Sequence, residues 1–445
     1  MLEIIGSSLL SLWWAMFGNS TKPQIQLESM SWHDALIFQL PAEQSDPSIQ
    51  MIVEQYLENL SQTALNRDRS LASFVASQGV WIQSDWLELA NHHGNIPVSA
   101  ASLTKIATTL AVVGKLGIKH QFVTRVFYTG SIEKGILQGD LIIEGNRDPF
   151  FVWEEAISLS NSLNQLGIRE VKGNLWVNQD FYMNYQADPL VSAKLLQQGL
   201  QPRLWSKEVQ QQFLTLNLKN PPQLTIQGEV KLINKISPSA QLLLEHQSLP
   251  LVEIIKQMNI YSNNEMAQML AEVVGGASEV ARYGVEKTGV ATSEIQLVNG
   301  SGLGIANRIS PRAVTRMLMA IDNLLQPHNL EVADIFPLAG RDQLGTMKNR
   351  HLPEGIAIKT GTLNEVSALA GVIPLDQGRR VWFAIINHGW QIEQFRQQQD
   401  QLLQTLADHW QLSSPLAERS QLSNSSSNQV YLGDPQRNKV ITYDN

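Results

Sequence analysis

Val98–Gly117 reads VSAASLTKIATTLAVVGKLG. Ser102 and Lys105 stand three apart at the head of an apolar run in which Ile106, Leu110, Val113 and Leu116 recur at helical spacing. That spacing predicts a buried helix. Residues three apart on a helix share a face, which brings the Ser102 hydroxyl within reach of the Lys105 amine. A lysine in dry surroundings loses much of its preference for the charged form and can take a proton from a serine, making it a nucleophile. The same SxxK pattern recurs at Ser131–Lys134, but in a glycine-flanked turn with no apolar helix behind it.

A chain of 445 residues can hold two domains with real cores, and 43% hydrophobic with 17% charged residues is ordinary globular composition. A formal charge of −8 and the lack of any Lys/Arg cluster argue against a nucleic-acid partner. There is no cysteine, which excludes disulfides, thiolate metal sites and thiol catalysis and suits an oxidising compartment. The apolar stretch Ile4–Phe17 is short for a bilayer span. It also lacks the preceding basic residue and the small-residue cleavage site of a signal peptide. Residues 1–24 therefore read as an export or anchoring segment, with membrane-surface association through residues 4–17, or as a helix docked on the protein itself.

Before the Ser102 stretch, residues 49–65 have helical periodicity, and Gln78–Gln83 and Trp86–Asn91 read as a strand hairpin around Ser84-Asp85. From Phe122 to Leu244 the texture changes to short β-like runs between Gly and Asn turns, interrupted by one helix at Phe151–Leu166. Those runs include Val123–Tyr128, Gly139–Glu144, Gly173–Val177 and Leu224–Leu232. Helices return with Leu249–Met258, Asn263–Val274 and Ser310–Leu325, the last with Pro311 at its first position. Strands follow at Gly355–Thr362, Val366–Pro374 and Val381–Asn387, then an amphipathic helix at Gln391–Trp410. The expected organisation is a leader (1–24), a catalytic domain in two parts (25–122 and 246–412), a β-rich insert (123–245) and a disordered Ser/Asn/Gln-rich tail (413–445). The core is α+β: one antiparallel sheet with helices on both sides.

Three short motifs fall in order: Ser102-Leu103-Thr104-Lys105, Ser262-Asn263-Asn264 and Lys359-Thr360-Gly361-Thr362. Each has a bland rival reading. Ser262 with Glu265 is a capping box. Ser162-Leu163-Asn164 lies inside a helix and Ser426-Ser427-Asn428 in the tail, while Lys287-Thr288-Gly289 follows a helix, where Gly289 reads as a C-terminal cap. Acyl transfer needs a nucleophile, a base and donors for the developing oxyanion. Ser102 fits the nucleophile and Lys105 its base. Ser262 can pass a proton to a leaving amine, and Asn264 can orient Lys105 and a substrate amide. Lys359 supplies positive field for a substrate carboxylate, which Thr360 and Thr362 can bind. Gly361 lets a substrate backbone approach the strand edge. The backbone N–H groups of Ser102 and Thr362 form the expected oxyanion hole.

These residues resemble the serine penicillin-recognising enzymes, whose SxxK, SxN and KTG set they match. The closer resemblance is to the D-alanyl-D-alanine carboxypeptidases/endopeptidases of the class C low-molecular-mass penicillin-binding proteins, with a wording like the cyanobacterial branch. It is carried by PVSAASLTKIATTLA, IYSNNEMAQMLAE, VNGSGLGIANRISP, IKTGTLNEVSALAGVI and, in the insert, GDLIIEGNRDPFF. The resemblance implies a penicillin-binding/β-lactamase-like core and a β-lactam-sensitive acyl-enzyme on Ser102. It implies peptidoglycan stem peptides ending in D-Ala-D-Ala, or D-Ala–diaminopimelate crosslinks, as substrates in the periplasm or cell envelope. It also implies that Asp148 binds the free amino end of diaminopimelate; the rival reading of Asp148 is a turn former before Pro149.

Two departures stand out. Only about 160 residues separate Ser102 from Ser262, which suggests a single reduced insert domain, and Asn299 replaces the aspartate of the DGSGL pattern, which suggests a turn role for Asn299–Gly302. The scattered histidines and the adjacent His92-His93 pair predict no metal and no cofactor. Two other functions stay open on the same residues: a serine β-lactamase or esterase, and a non-catalytic peptidoglycan-binding or sensor protein.

Overall fold

A computed structural model of the chain describes residues 47–64, 71–216, 218–412 and 431–441. The apolar leader and residues 413–430 lie outside the described residues. No helix among the described residues is long and apolar enough to cross a membrane.

Five strands form the central antiparallel sheet: β1 (Gly79–Ser84), β2 (Glu88–His92), β3 (Ala357–Leu363), β4 (Val366–Pro374) and β5 (Arg380–His388). Their order is β3-β4-β5-β1-β2, so the strand carrying Lys359–Thr362 is at one edge. The inner strands alternate between two separate cores. Ala368, Ala370, Trp382, Ala384 and Ile386 join the helical layer that contains Ile106, Leu110, Met258, Leu270 and Met317. Leu369, Ile373, Phe383 and Ile385 join the opposite layer, with Val53 and Leu60 on one helix and Phe395, Leu402 and Leu406 on another. The first layer is built by α2 (Thr104–Leu116), α3 (Leu251–Tyr261), α4 (Asn264–Val273) and α5 (Pro311–Leu325), and the second by α1 (Pro47–Ala64) and α6 (Ile392–His409). The second hairpin strand starts at Glu88 rather than Trp86, because the Ser84 hydroxyl accepts from Trp86 and Leu87 N–H and extends the turn.

Between α2 and α3 the chain builds a second module with its own core. The chain leaves and returns side by side, with Val252 N–H on Ile118 O, Leu251 N–H on His120 O and Ser248 N–H on Phe122 O. The module is more helical than expected: besides Trp153–Gln165 it has helices at Pro189–Leu200 and Lys207–Thr215. Asp188, which caps the first of these through Val191 N–H, and Pro189 at its first position were the available sequence signals. Leu224–Leu232 is not one strand. Gly228, packed against the Gly173 backbone, divides it into Thr225–Ile226 and Val230–Ile233, which belong to different sheets.

The tail expectation needs the clearest correction. Asn438–Val440 is the sixth strand of the module's larger sheet, paired antiparallel with Gln241–Gln247. Its anchor is polar and dry, a pattern that a compositional reading of a Ser/Asn-rich segment does not register. Arg437 donates to the buried Glu155 carboxylate, which also accepts from Gly433 N–H, and Asn438 Oδ1 lies 2.7 Å from His246 Nδ1. Burial, followed by the Arg437 charge, holds His246 at about 3, so its ring is neutral.

Arg437→Met leaves Glu155 buried without its cation and should cost about 3–5 kcal/mol in urea unfolding. The double variant Arg437→Met/Glu155→Gln should recover most of that loss; equal losses in the single and double variants contradict the pairing.

Candidate active site

Ser102 lies on a one-turn 3-10 segment, Ala101–Leu103, that leads directly into α2. The preceding Ala101 takes a left-handed φ of 47°. Lys105, in the first turn of α2, is fully buried. Its Nζ lies 3.0 Å from Ser102 Oγ, 2.7 Å from Asn264 Oδ1 and 2.7 Å from Ser301 O. The last two atoms can only accept hydrogen bonds. A neutral Lys105 therefore commits both N–H bonds to them and keeps its lone pair for the Ser102 hydroxyl. Burial lowers Lys105 from its ordinary range to about 7, with Glu265 opposing.

Ser262 is the left-handed C-terminal cap of α3, with φ 51°. Asn263, not Ser262, caps α4, its side chain accepting from Met266 N–H at 2.9 Å. The capping-box reading thus gives way, because the tight α3–α4 junction turns Ser262 away from the α4 N-terminus. The Ser262 hydroxyl meets Lys359 instead: Lys359 Nζ is 2.9 Å from Ser262 Oγ and 2.8 Å from Thr360 O. Lys359 is fully buried, and burial together with the nearby Lys105 pulls its ammonium well below the ordinary lysine range.

The Asn299–Gly304 loop closes over these groups as a turn. Asn299 Oδ1 accepts from Ser301 and Gly302 N–H, and Thr108 Oγ1 donates to Gly300 O. Gly302 has φ 83°, and a Cβ there would lie 1.9 Å from Ala101 O, so only glycine fits. The Ser301 carbonyl on Lys105 was missed in the sequence, since a backbone oxygen leaves no signature in residue type.

Gly361 packs directly against the turn that carries Ser102. A Cβ there would sit 3.1 Å from Ser102 N and 3.2 Å from Ala100 O, so the missing side chain admits the nucleophile turn against β3. Thr360 and Thr362 point to the opposite face of the strand. Thr360 Oγ1 is 2.8 Å from Thr346 Oγ1, and Thr362 Oγ1 accepts from Arg396 Nη2 at 2.9 Å.

Asp148 makes the local turn contact expected before Pro149. Its buried carboxylate accepts from Phe150 N–H at 2.8 Å, and burial raises it to about 7. No group of three metal-ligating side chains converges among the described residues.

A helix-flanked antiparallel sheet with a Ser–Lys dyad at an edge strand is the architecture of penicillin-binding serine acyl transfer. The sequence profile of the D-Ala-D-Ala carboxypeptidase 3 (S13) family matches residues 65–195 and 205–409, and the chain belongs to that family. A carboxypeptidase DacB of Mycolicibacterium smegmatis is 32% identical over 162 residues, 32% of this chain and 35% of that protein's length. The D-alanyl-D-alanine carboxypeptidase DacB of Haemophilus influenzae is 23% identical over 400 residues, covering 68% of this chain and 83% of its own. Among solved structures, a predatory endopeptidase of Bdellovibrio bacteriovorus aligns with TM-score 0.63 at 19% identity, over 82% of this chain and 99% of that one. Penicillin-binding protein 4 of H. influenzae aligns with TM-score 0.53 at 20% identity, over 70% and 90%.

The capping assignment makes a direct prediction. Asn263→Ala should cost about 1 kcal/mol in chemical denaturation. Glu265→Gln, the partner a Ser262 box would need, should change stability by about 0.5 kcal/mol or less.

Proposed function

We propose that the chain is a serine D,D-peptidase that cleaves peptidoglycan stem peptides or crosslinks after D-Ala, through an acyl-enzyme on Ser102. The observation that carries this reading is the Lys105 amine, buried and held 3.0 Å from the Ser102 hydroxyl by two obligate acceptors. A peptide docks as an added strand along the outer edge of β3 beyond Ile358, where the strand has no neighbour in the sheet order; Ala357 and Ile358 are already taken by Leu338 and Pro337. Lys105 removes the Ser102 proton as Oγ attacks the carbonyl carbon. The Ser102 and Thr362 N–H groups receive the developing oxyanion. Lys105 passes that proton on to Ser262, which, polarised by Lys359, gives its own to the departing amine, so the C–N bond breaks to leave an ester on Ser102 and a neutral Lys105. Water then attacks the ester with Lys105 as base, which restores the hydroxyl. Asn264 keeps the amine oriented throughout. β-Lactams acylate the same oxygen and act as covalent inhibitors; a B. bacteriovorus endopeptidase of this fold has been solved acylated by penicillin G. The substrate places the enzyme in the cell envelope, with the apolar residues 4–17 as its membrane-surface contact.

Mass spectrometry of the intact protein after benzylpenicillin should show one penicilloyl adduct, mapped to the peptide containing Ser102. Ser102→Ala should abolish both the adduct and release of D-Ala, and full turnover by that variant would sink the assignment. An adduct lost within seconds would point to a β-lactamase instead.

The pH dependence follows from the sign of the Lys105 shift. The working base is the neutral amine, so the acylation rate should rise about tenfold per pH unit below about 7 and level off above it. Stopped-flow acylation by a fluorescent penicillin between pH 5 and 9 reads this directly. A profile that keeps rising toward the ordinary lysine range contradicts a dry amine.

A further inference from the structure

Two segments of the inserted module, residues 145–152 and 180–186, stand beside the α3–α4 junction that carries Ser262. Burial, followed by Glu154 and Tyr261, pushes the Tyr185 phenol up to about 12, so Tyr185 lies near the residue that precedes Ser262. The Glu272 carboxylate of α4 lies within range of the Arg147 charge. Phe150 and Val152 are buried in the same core as Ile106 and Met258, and Tyr185 packs against it. The two segments hold each other, with Arg147 N–H on Asp180 O at 2.7 Å and Asn184 N–H on Phe151 O at 2.8 Å. They form a shoulder next to the reacting groups.

That shoulder is strained. Arg147, Asn184 and Tyr185 take left-handed φ of 60°, 51° and 65°. Non-glycine residues persist there only where their surroundings over-determine them. Part of those surroundings comes from residues 431–441, about 280 positions further along the chain. Leu432 packs against the core that holds Phe150 and Val152. Gly433 has φ 69°, and a Cβ on it would come within 2.9 Å of Glu154 O. Its N–H bonds the Glu155 carboxylate, in the first turn of the helix that follows the shoulder. Asn438 Nδ2 donates to Ser158 and Ser162, which leaves its Oδ1 for the His246 ring. That ring stands edge-on to Phe151 at 5.1 Å, and Phe151 stands edge-on to Phe181 at 5.1 Å. Contacts from the C-terminal strand thus end on both segments.

We propose that residues 431–441 are a positioning clasp for this shoulder, through Leu432 and Asn438, and that cleavage of extended peptidoglycan substrates depends on it. The inference rests on the peptidase reading and adds a dependence on substrate size. A small β-lactam needs only the Ser102 turn, the dyad and β3. A crosslinked stem peptide reaches past them, and binding energy from such remote parts counts only if the surface that meets them is fixed.

The test uses the full chain as wild type, Leu432→Ala, Leu432→Met and Asn438→Ala, with Leu402→Ala in α6 as a control that opens a cavity across the sheet. Two rates are compared: acylation of Ser102 by a fluorescent penicillin, and cleavage of a purified crosslinked muropeptide dimer. Leu432→Ala and Asn438→Ala should acylate within about 3-fold of wild type and lose about 10-fold in kcat/KM on the dimer, mostly through KM. Leu432→Met keeps the volume and should recover most of that loss. Leu402→Ala should lower the urea midpoint and leave the ratio of the two rates in place. The two clasp variants act through different contacts, so either one decides the matter if the other does not fold. Parallel losses in both rates, an undiminished rate on the dimer, or the same split in Leu402→Ala each overturn the clasp and leave the peptidase standing. A wild-type chain that acylates yet leaves the dimer intact overturns the clasp as well. A wild-type chain that takes no penicilloyl group and cleaves no dimer overturns the peptidase reading and the clasp with it.

Discussion

One lone pair governs this structure. Lys105 meets three oxygens, and two of them, an amide oxygen and a main-chain carbonyl, cannot donate. Losing a proton therefore leaves the amine with a single direction in which to accept one, toward Ser102. The contrast with Lys256 shows what the arrangement avoids. Lys256 is also buried and also meets two carbonyls, but its third partner is the Asp342 carboxylate at 2.6 Å. There the charge has a counter-ion, and the lysine is a structural tie between α3 and the 333–342 segment. Around Lys105 no carboxylate makes a hydrogen bond, so burial is opposed only by the more distant Glu265. The fold lowers the affinity of Lys105 for its proton by giving the buried amine neutral partners.

Neutral partners must still be aimed, and the chain does so at some conformational cost. Both hydroxyls that meet a buried lysine sit at or next to left-handed, non-glycine backbone: Ala101, immediately before Ser102, and Ser262 itself. Each such residue costs of order 1–3 kcal/mol and persists only where its surroundings over-determine it. At Ala101 the surroundings are Gly302 pressed against its carbonyl and Gly361 against the following N–H. At Ser262 they are the end of α3, the Asn263 cap of α4 and Lys359. The glycines and the cap that hold these turns come from three distant stretches of sequence, which explains why the chemistry needs the whole two-layer core behind it.

What could be read in advance divides along the same physical line. The helix behind Ser102, the strands at Val366–Pro374 and Val381–Asn387 and the closing amphipathic helix were legible, because burying one stripe or one face leaves a period in the residue types. The order of the three motifs was legible for the same reason, since each sits where its element type is unambiguous. Contacts made by backbone atoms, or by polar side chains far apart in sequence, were not. The Ser301 carbonyl on Lys105, the Arg437–Glu155 tie and the Arg396–Thr362 bond have no local pattern. The Asn438 strand was hidden by polar composition, since its hydrogen-bonding side chains face a dry interior that only tertiary structure supplies. At Ser262 two readings stood side by side for a related reason: both a cap and a proton carrier want a hydroxyl before a helix, and only the junction geometry removes the cap.

The edge strand β3 then explains how chemistry and recognition can share a few residues without interfering. Strand side chains alternate between faces, so Lys359 and Gly361 look toward the layer that holds Ser102 and Ser262, while Thr360 and Thr362 look toward α6. The first face is dry and closely packed: a Cβ at Gly361 would crowd the turn that carries Ser102, and Lys359 is fully buried. The second face opens onto an exposed helix turn, where Glu393 and Arg396 are held by surface contacts alone. Change on that side does not touch the Ser102–Lys105 contact. A two-residue period thus gives one short strand two unlike environments, a dry one around Lys359 and a surface one around Thr362.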